Sequence, residues 1–162
     1  MFTEYKNLPD TARVWIYQSN REFTENEISF INEKAREFIN SWTRHGDDLK
    51  GSFTIKYNQF LVIGVDVSFN NASGCSIDAS VHFIQELEKE FQLDLMDKMN
   101  ISFKNGEHIN LVKLPDFQKY VREKKITQET IVFNNMVNTK EDFEHKWEVP
   151  AKNSWHKRFL VN

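Results

Sequence analysis

One cysteine, Cys75, stands in 162 residues, which excludes an intrachain disulfide and a zinc site built from cysteines alone. A reducing compartment fits that count. No apolar run approaches the ~20 residues that a membrane-spanning helix needs, and Met1 to Pro9 has neither the basic opening nor the apolar core of a signal peptide. The expectation is a cytoplasmic protein. Charge of one sign is lacking too: the net charge is -3 and the pI about 6.0, so nothing global draws the chain to nucleic acid or an anionic membrane. There is no internal repeat, low-complexity tract or linker-like shift in composition. The length suits one domain, residues 1–162, burying roughly two thirds of the surface that its unfolded chain exposes.

What the chain has in quantity is aromatic rings, 14 Phe, 4 Trp and 4 Tyr, enough to fill much of a core. Phe60-Leu-Val-Ile-Gly-Val-Asp-Val67 is nearly unbroken apolar sequence, the pattern of a strand covered on both faces. Asp66 is its one charge. A polar connector, Ser68 to Gly74, leads to an amphipathic helix from about Ser76 to Phe91, on which Ile77, Val81, Ile84, Leu87, Glu88 and Phe91 share an arc. Glu88 is out of place there.

Upstream, Arg13–Gln18 reads as a strand, and Thr24-Glu-Asn-Glu27 is a capping box opening a helix to about Trp42. Thr43 to Gly51 reads as a polar loop, and Ser52–Tyr57 as a strand joined to the apolar run through Asn58-Gln59. Downstream, a short helical turn is expected within Leu93 to Met99. A hairpin of Asn100–Lys104 and Glu107–Val112 follows, turning on Asn105-Gly106 in type I′ geometry. Then come a helix over Pro115 to Lys124, a strand over Thr130 to Phe133, a helix from a Thr139 cap to Trp147, and a tail to Asn162 anchored by Trp155, Phe159 and Leu160. The fold class is α+β, with a mixed or mostly antiparallel sheet and helices packed on at least one face.

Chemistry is expected first where the apolar strand meets the following helix. Cys75, Asp78 and His82 fall in one quadrant of that helix, and a thiol at a helix N-terminus sits where the macrodipole favours the thiolate. Asp66 and His45 complete a pocket of His45, Asp66, Cys75, Ser76 and Asp78, whose free N–H groups suit a small molecule or an anion. In a thiol-dependent hydrolase or transferase Cys75 is the nucleophile, His45 or His82 the base, and Ser76 or nearby backbone N–H groups hold the oxyanion. Each residue also has a structural reading: Cys75 as a small apolar side chain, Asp78 as a dipole partner, His82 as part of a solvated face, Asp66 as a cap of the following loop. No metal signature is matched, and no cofactor is called for.

A second cluster, Lys152, Trp155, His156, Lys157 and Arg158, interleaves aromatics with cations in the manner of single-stranded nucleic-acid binders. Its structural reading is an anchored tail whose cations face water. Gly46-Asp-Asp-Leu-Lys-Gly51-Ser52 echoes a P-loop, but Ser52 stands where the motif needs lysine, and Asp47 and Asp48 oppose phosphate.

Trp42-Thr-Arg-His-Gly46, Ser73-Gly-Cys-Ser-Ile-Asp-Ala-Ser80, Ile131-Val-Phe-Asn-Asn135, Trp147-Glu-Val-Pro-Ala-Lys152 and Ser154-Trp-His-Lys-Arg-Phe159 together give the chain a further character. Over nearly its whole length it resembles a family of short Bacteroidota proteins commonly labelled "ABC transporter ATPase". That label implies a Walker A lysine and a Leu-Ser-Gly-Gly-Gln signature, and neither is present. The sequence therefore points to a small binding or accessory protein, with the thiol enzyme and an RNA- or ribosome-associated role as alternatives.

Overall fold

Six consecutive residues without a charge, Phe60–Val65, form strand β5, and every one of them is buried. Both faces of a strand must be covered for alternate residues to be lost from water alike, which is what the unbroken apolar run predicts. The structure is a computed structural model and describes residues 1–160. Val161 and Asn162, the end of the expected tail, lie outside the described residues.

In chain order the elements are β1 (Arg13–Gln18), α1 (Glu25–Asn40), β2 (Thr43–Arg44), β3 (Asp47–Asp48), β4 (Gly51–Lys56), β5, α2 (Gly74–Phe91), β6 (Asn100–Asn105), β7 (His108–Lys113), α3 (Leu114–Arg122), β8 (Ile131–Phe133), α4 (Lys140–Lys146) and β9 (Glu148–Pro150). The fold is α+β, and the strand pairs among the described residues run antiparallel apart from an isolated bridge of Phe2 with Gly51. The chain forms two compact units, Met1–Met96 with Asn138–Glu141, and Asp97–Val137 with the segment from Asp142 onward.

In the first unit β5 lies between β1 and β4, with Ile63 opposite Trp15 on one side and Phe53 on the other. Leu61, Ile63 and Val65 meet Ile31, Ala35 and Ile39 of α1 and Phe83, Ile84 and Leu87 of α2 in one core. Gly64 lies on the opposite face, where a Cβ would come within 2.8 Å of Leu8 Cδ1. The capping box of α1 is formed as expected: Thr24 Oγ1 accepts the Glu27 N–H at 3.2 Å, and the Glu27 carboxylate accepts the Thr24 N–H at 2.9 Å. Arg21 bonds both oxygens of Glu27 at 2.7 and 2.8 Å and also donates to the Phe91 carbonyl, tying the start of α1 to the end of α2. These bonds, the Arg21 pair foremost, hold the Glu27 carboxyl down at about 2. Thr24→Ala is expected to cost about 1 kcal/mol, read as a lower urea midpoint. An unchanged midpoint would show that Arg21 and Glu27 fix this terminus without the cap.

The structure departs from the sequence reading in several places. The expected polar loop after α1 holds the β2–β3 hairpin, turned by His45 (φ +50°) and Gly46 (φ +87°), the two positive-φ positions that a type I′ turn requires. Leu93 to Met99 is not helical. Instead the Leu95 N–H bonds the Glu88 carboxylate at 2.8 Å, which explains a charge on the inner arc of α2. That inner face is also turned from the expected one, with Ser76 and Ser80 buried and Ile77 and Val81 half-buried.

In the second unit β6 lies between β7 and β8, and β9 extends the sheet. Asn105 pairs with His108, so the hairpin turns on Gly106-Glu107 with positive φ at Gly106 alone, the type II′ arrangement, one residue later than expected. Ile101, Phe117, Val121, Ile126, Val132 and Ala151 form a core against which Trp155, Phe159 and Leu160 pack. The tail is thus anchored at the expected rings, and β9 with the short 3-10 helices Ala151–Asn153 and Trp155–Phe159 is structure that its sequence pattern did not announce.

Candidate functional site

Ser73 caps α2, its hydroxyl accepting the Ser76 N–H at 3.2 Å, which puts Cys75 in the first turn and exposes it. The same cap fixes Ser76. Its hydroxyl donates to the Thr43 carbonyl at 2.8 Å, lies 2.9 Å from the Ser73 hydroxyl, and is buried, while its carbonyl accepts the indole N–H of Trp42. The expected oxyanion or ligand contact from Ser76 is therefore corrected: the side chain serves the junction between α2 and the chain after α1. Ser80, one turn on, donates to the Ile77 carbonyl and meets the phenol of Tyr17, whose pKa burial raises. Inward serines, and not gaps in an apolar stripe, set the rotation of this helix.

Asp66 is 8% exposed. Its carboxylate turns back on the loop it begins, accepting the backbone N–H of Ser68 at 3.0 Å and the Ser68 hydroxyl, the loop-capping geometry of an aspartate before a turn. His45 stands at the exposed tip of the β2–β3 hairpin. Cys75, Asp78 and His82 do share the exposed side of α2. Seven helical rises separate Cys75 from His82, about 10 Å along the axis, beyond direct proton transfer between them.

A more enclosed surface lies between α1 and α2. Phe30 meets Phe91, Phe38 stacks on Phe83 and Trp42 reaches Ser76, so the helices run antiparallel. Between them is a groove of about 530 Å³, lined by Phe30, Lys34, Glu37 and Phe38 of α1 with Ser41 just past its end, and on α2 by Ala79, His82, Phe83, Glu86, Leu87 and Glu90. Its floor is the Phe38–Phe83 stack, ring centres 4.9 Å apart and planes within 1°. Three carboxylates stand on the rim against one ammonium, and that ammonium, Lys34, is bonded to Glu37 at 3.3 Å. Of the residues singled out from sequence, His82 alone lines it. On α1 Phe30 and Phe38 stand half-buried beside the buried Ile31 and Ile39, and that second apolar row is the trace that one wall of the groove leaves in the sequence.

The C-terminal cluster divides. His156 is 1% exposed, its Nδ1 2.7 Å from the Ser154 hydroxyl, with the Trp155 ring stacked on it at 3.9 Å and Phe117 at 5.6 Å. Burial pushes its pKa down to about 4. An enclosed neutral imidazole cannot meet phosphate, so the nucleic-acid contact expected of His156 is corrected to a core role. Trp155 is half-buried and packs edge-on to Phe159, Lys152 pairs with Glu129 at 2.9 Å, and Lys157 and Arg158 are exposed.

Among the described residues no group of three or more His, Cys, Asp or Glu side chains is placed to hold a metal ion, and no helix is long and apolar enough to cross a membrane. Comparisons with protein-family models, curated proteins and solved structures find no match to this chain.

Proposed function

We propose that the protein is a binding or accessory module whose ligand seats in the groove between α1 and α2, and that it is not an ATPase of the kind the family label names. The observation that carries this reading is the groove itself, a concave surface with an aromatic floor and a polar rim, within the size range of ligand sites. The carboxylates of Glu37, Glu86 and Glu90 favour a neutral or cationic ligand over the anion expected at the Cys75 junction. Against phosphate chemistry, Gly46 to Ser52 is part of a hairpin and the start of β4, where a P-loop joins a strand to a helix. Cytoplasmic residence belongs to the same proposal, with the single reduced thiol as its support.

A screen of neutral and cationic aromatic fragments, followed by amide shifts in NMR spectra, tests the reading. Bound fragments are expected to move the amides of Lys34, Glu37, His82 and Glu86. His82→Ala/Glu86→Ala should weaken binding about tenfold, the equivalent of ~1.4 kcal/mol, while Cys75→Ser/Asp78→Ala leaves it unchanged. The reverse pattern returns the site to the junction and overturns the groove.

A further inference from the structure

We infer that the occupant of the α1–α2 groove is a basic amphipathic helix of a protein partner, an inference that rests on the groove being the binding site. The lining residues recur on α1 as 30, 34, 37 and 38, with 41 just past its end, and on α2 as 79, 82, 83, 86, 87 and 90. Those are the i, i+4, i+7, i+11 rows that bound a groove between ridges, and ridges of a third helix fill such a groove. The lining runs from residue 30 to 41 and from 79 to 90, about 16 Å or three turns on each side. The groove is a concave surface and not a closed cavity, and a helix laid in such a groove inserts side chains on one face and keeps the other in water.

Charge selects the kind of helix. Glu37, Glu86 and Glu90 line the groove, and its one fixed cation, Lys34, is spent on Glu37. Lys34 Nζ also stands 5.9 Å from the Phe30 ring centre, which shows an ammonium already accommodated against this aromatic wall. A partner with leucine or phenylalanine at i, i+4, i+7 and i+11, flanked by lysine or arginine, places its apolar side chains on the half-buried Phe30 and Phe38 and the exposed Ala79, and its cations on Glu86 and Glu90. An acidic helix, a nucleic acid or an anionic membrane meets like charge there.

The test uses a fluorescent 18-residue peptide with leucine on that spacing and lysine on the flanks, a scrambled peptide of equal composition, and a short alkyltrimethylammonium as a small cation. The patterned peptide is expected to bind at least tenfold more tightly than the scramble and to turn helical on binding. Glu86→Lys/Glu90→Lys should weaken it at least tenfold, and the control Glu107→Lys/Glu141→Lys, an equal change in net charge, less than twofold. Equal binding of scramble and pattern, or equal weakening by the two pairs, overturns the inference, as does displacement by self-association seen in sedimentation. If the peptide fails while fragments still shift the α1 and α2 amides, the helix inference falls and the groove stands. If fragments miss those amides as well, both fall.

Discussion

Ile63→Ala is expected to lower the stability of the protein by about 2–5 kcal/mol, a large part of the ~5–15 kcal/mol typical of a folded chain. Ile63 is fully buried at the middle of β5, hydrogen-bonded on both sides through β1 and β4, and its side chain faces the helices. Removing three carbons leaves a hole that cannot close easily. The neighbouring strands fix the backbone on either side, and the next residue, Gly64, is held where Leu8 already occupies the space of a Cβ. The measurement is the urea midpoint with its slope. An unchanged slope and a midpoint lowered by the equivalent of several kcal/mol is the expected outcome. A loss under about 1 kcal/mol would mean that the face of β5 toward α1 and α2 is loosely filled, and the packing described for this core would have to be withdrawn.

The prominence of β5 in the sequence has the same cause as its weight in that experiment. A strand buried on both faces must be apolar at successive positions, so Phe60 to Val65 declared itself. The capping box of α1 was legible because two reciprocal hydrogen bonds need a hydroxyl and a carboxylate three residues apart. Less could be read where tertiary contacts decide. The chain after α1 folds into a hairpin because His45 accepts positive φ ahead of Gly46, a conformation uncommon among non-glycine residues even though histidine takes it more readily than most. The second hairpin slipped by one residue because Gly106 can lead a type II′ turn as readily as it can follow asparagine in type I′. On α2 the apolar pattern pointed to Ile77 and Val81, yet Ser76 and Ser80 turn inward, since the Thr43 carbonyl and the Tyr17 phenol need polar partners inside.

The same physics separates the site residues. Cys75, Asp78 and His82 were placed on one face by helical spacing alone, and that face is where they lie. Asp66 and Ser76 were assigned to a pocket by proximity in sequence, but a side chain one or two residues from a turn has backbone N–H and C=O groups closer than any ligand. That holds for Asp66, taken by Ser68 two residues on; Ser76 is taken by the Thr43 carbonyl, 33 residues away in sequence, a tertiary contact that spacing does not record. The groove needs two helices distant in sequence to come together, and a single chain's periodicity records the two walls without recording that they face each other.

Between pH 7.5 and pH 5 the protein is expected to lose about 2 kcal/mol of stability through His156 alone, and roughly 3 kcal/mol by pH 4. The folded chain holds this imidazole at about 4 against an ordinary 6.5, because burial disfavours its charged form. The rings of Trp155 and Phe117 and the hydroxyl of Ser154 offer the imidazolium no counter-charge. Below pH 6.5 the unfolded chain binds a proton that the folded chain refuses, so acid favours unfolding across the window from 6.5 down to 4. The stabilisation is complete above 6.5 and disappears as pH falls. Glu27 acts in a lower window. Its carboxyl, held at about 2 against 4.5, adds stability that is lost only as pH falls below 4.5, so the interval from 7.5 to 5 belongs to histidine. The other four histidines are exposed, and His156→Gln separates them from the buried one. Urea midpoints at pH 7.5 and 5.0 should differ in the parent protein and converge in the variant, whatever offset the lost packing adds at both pH values. A variant that keeps the full difference would assign the acid sensitivity to other groups and place His156 where water can reach it.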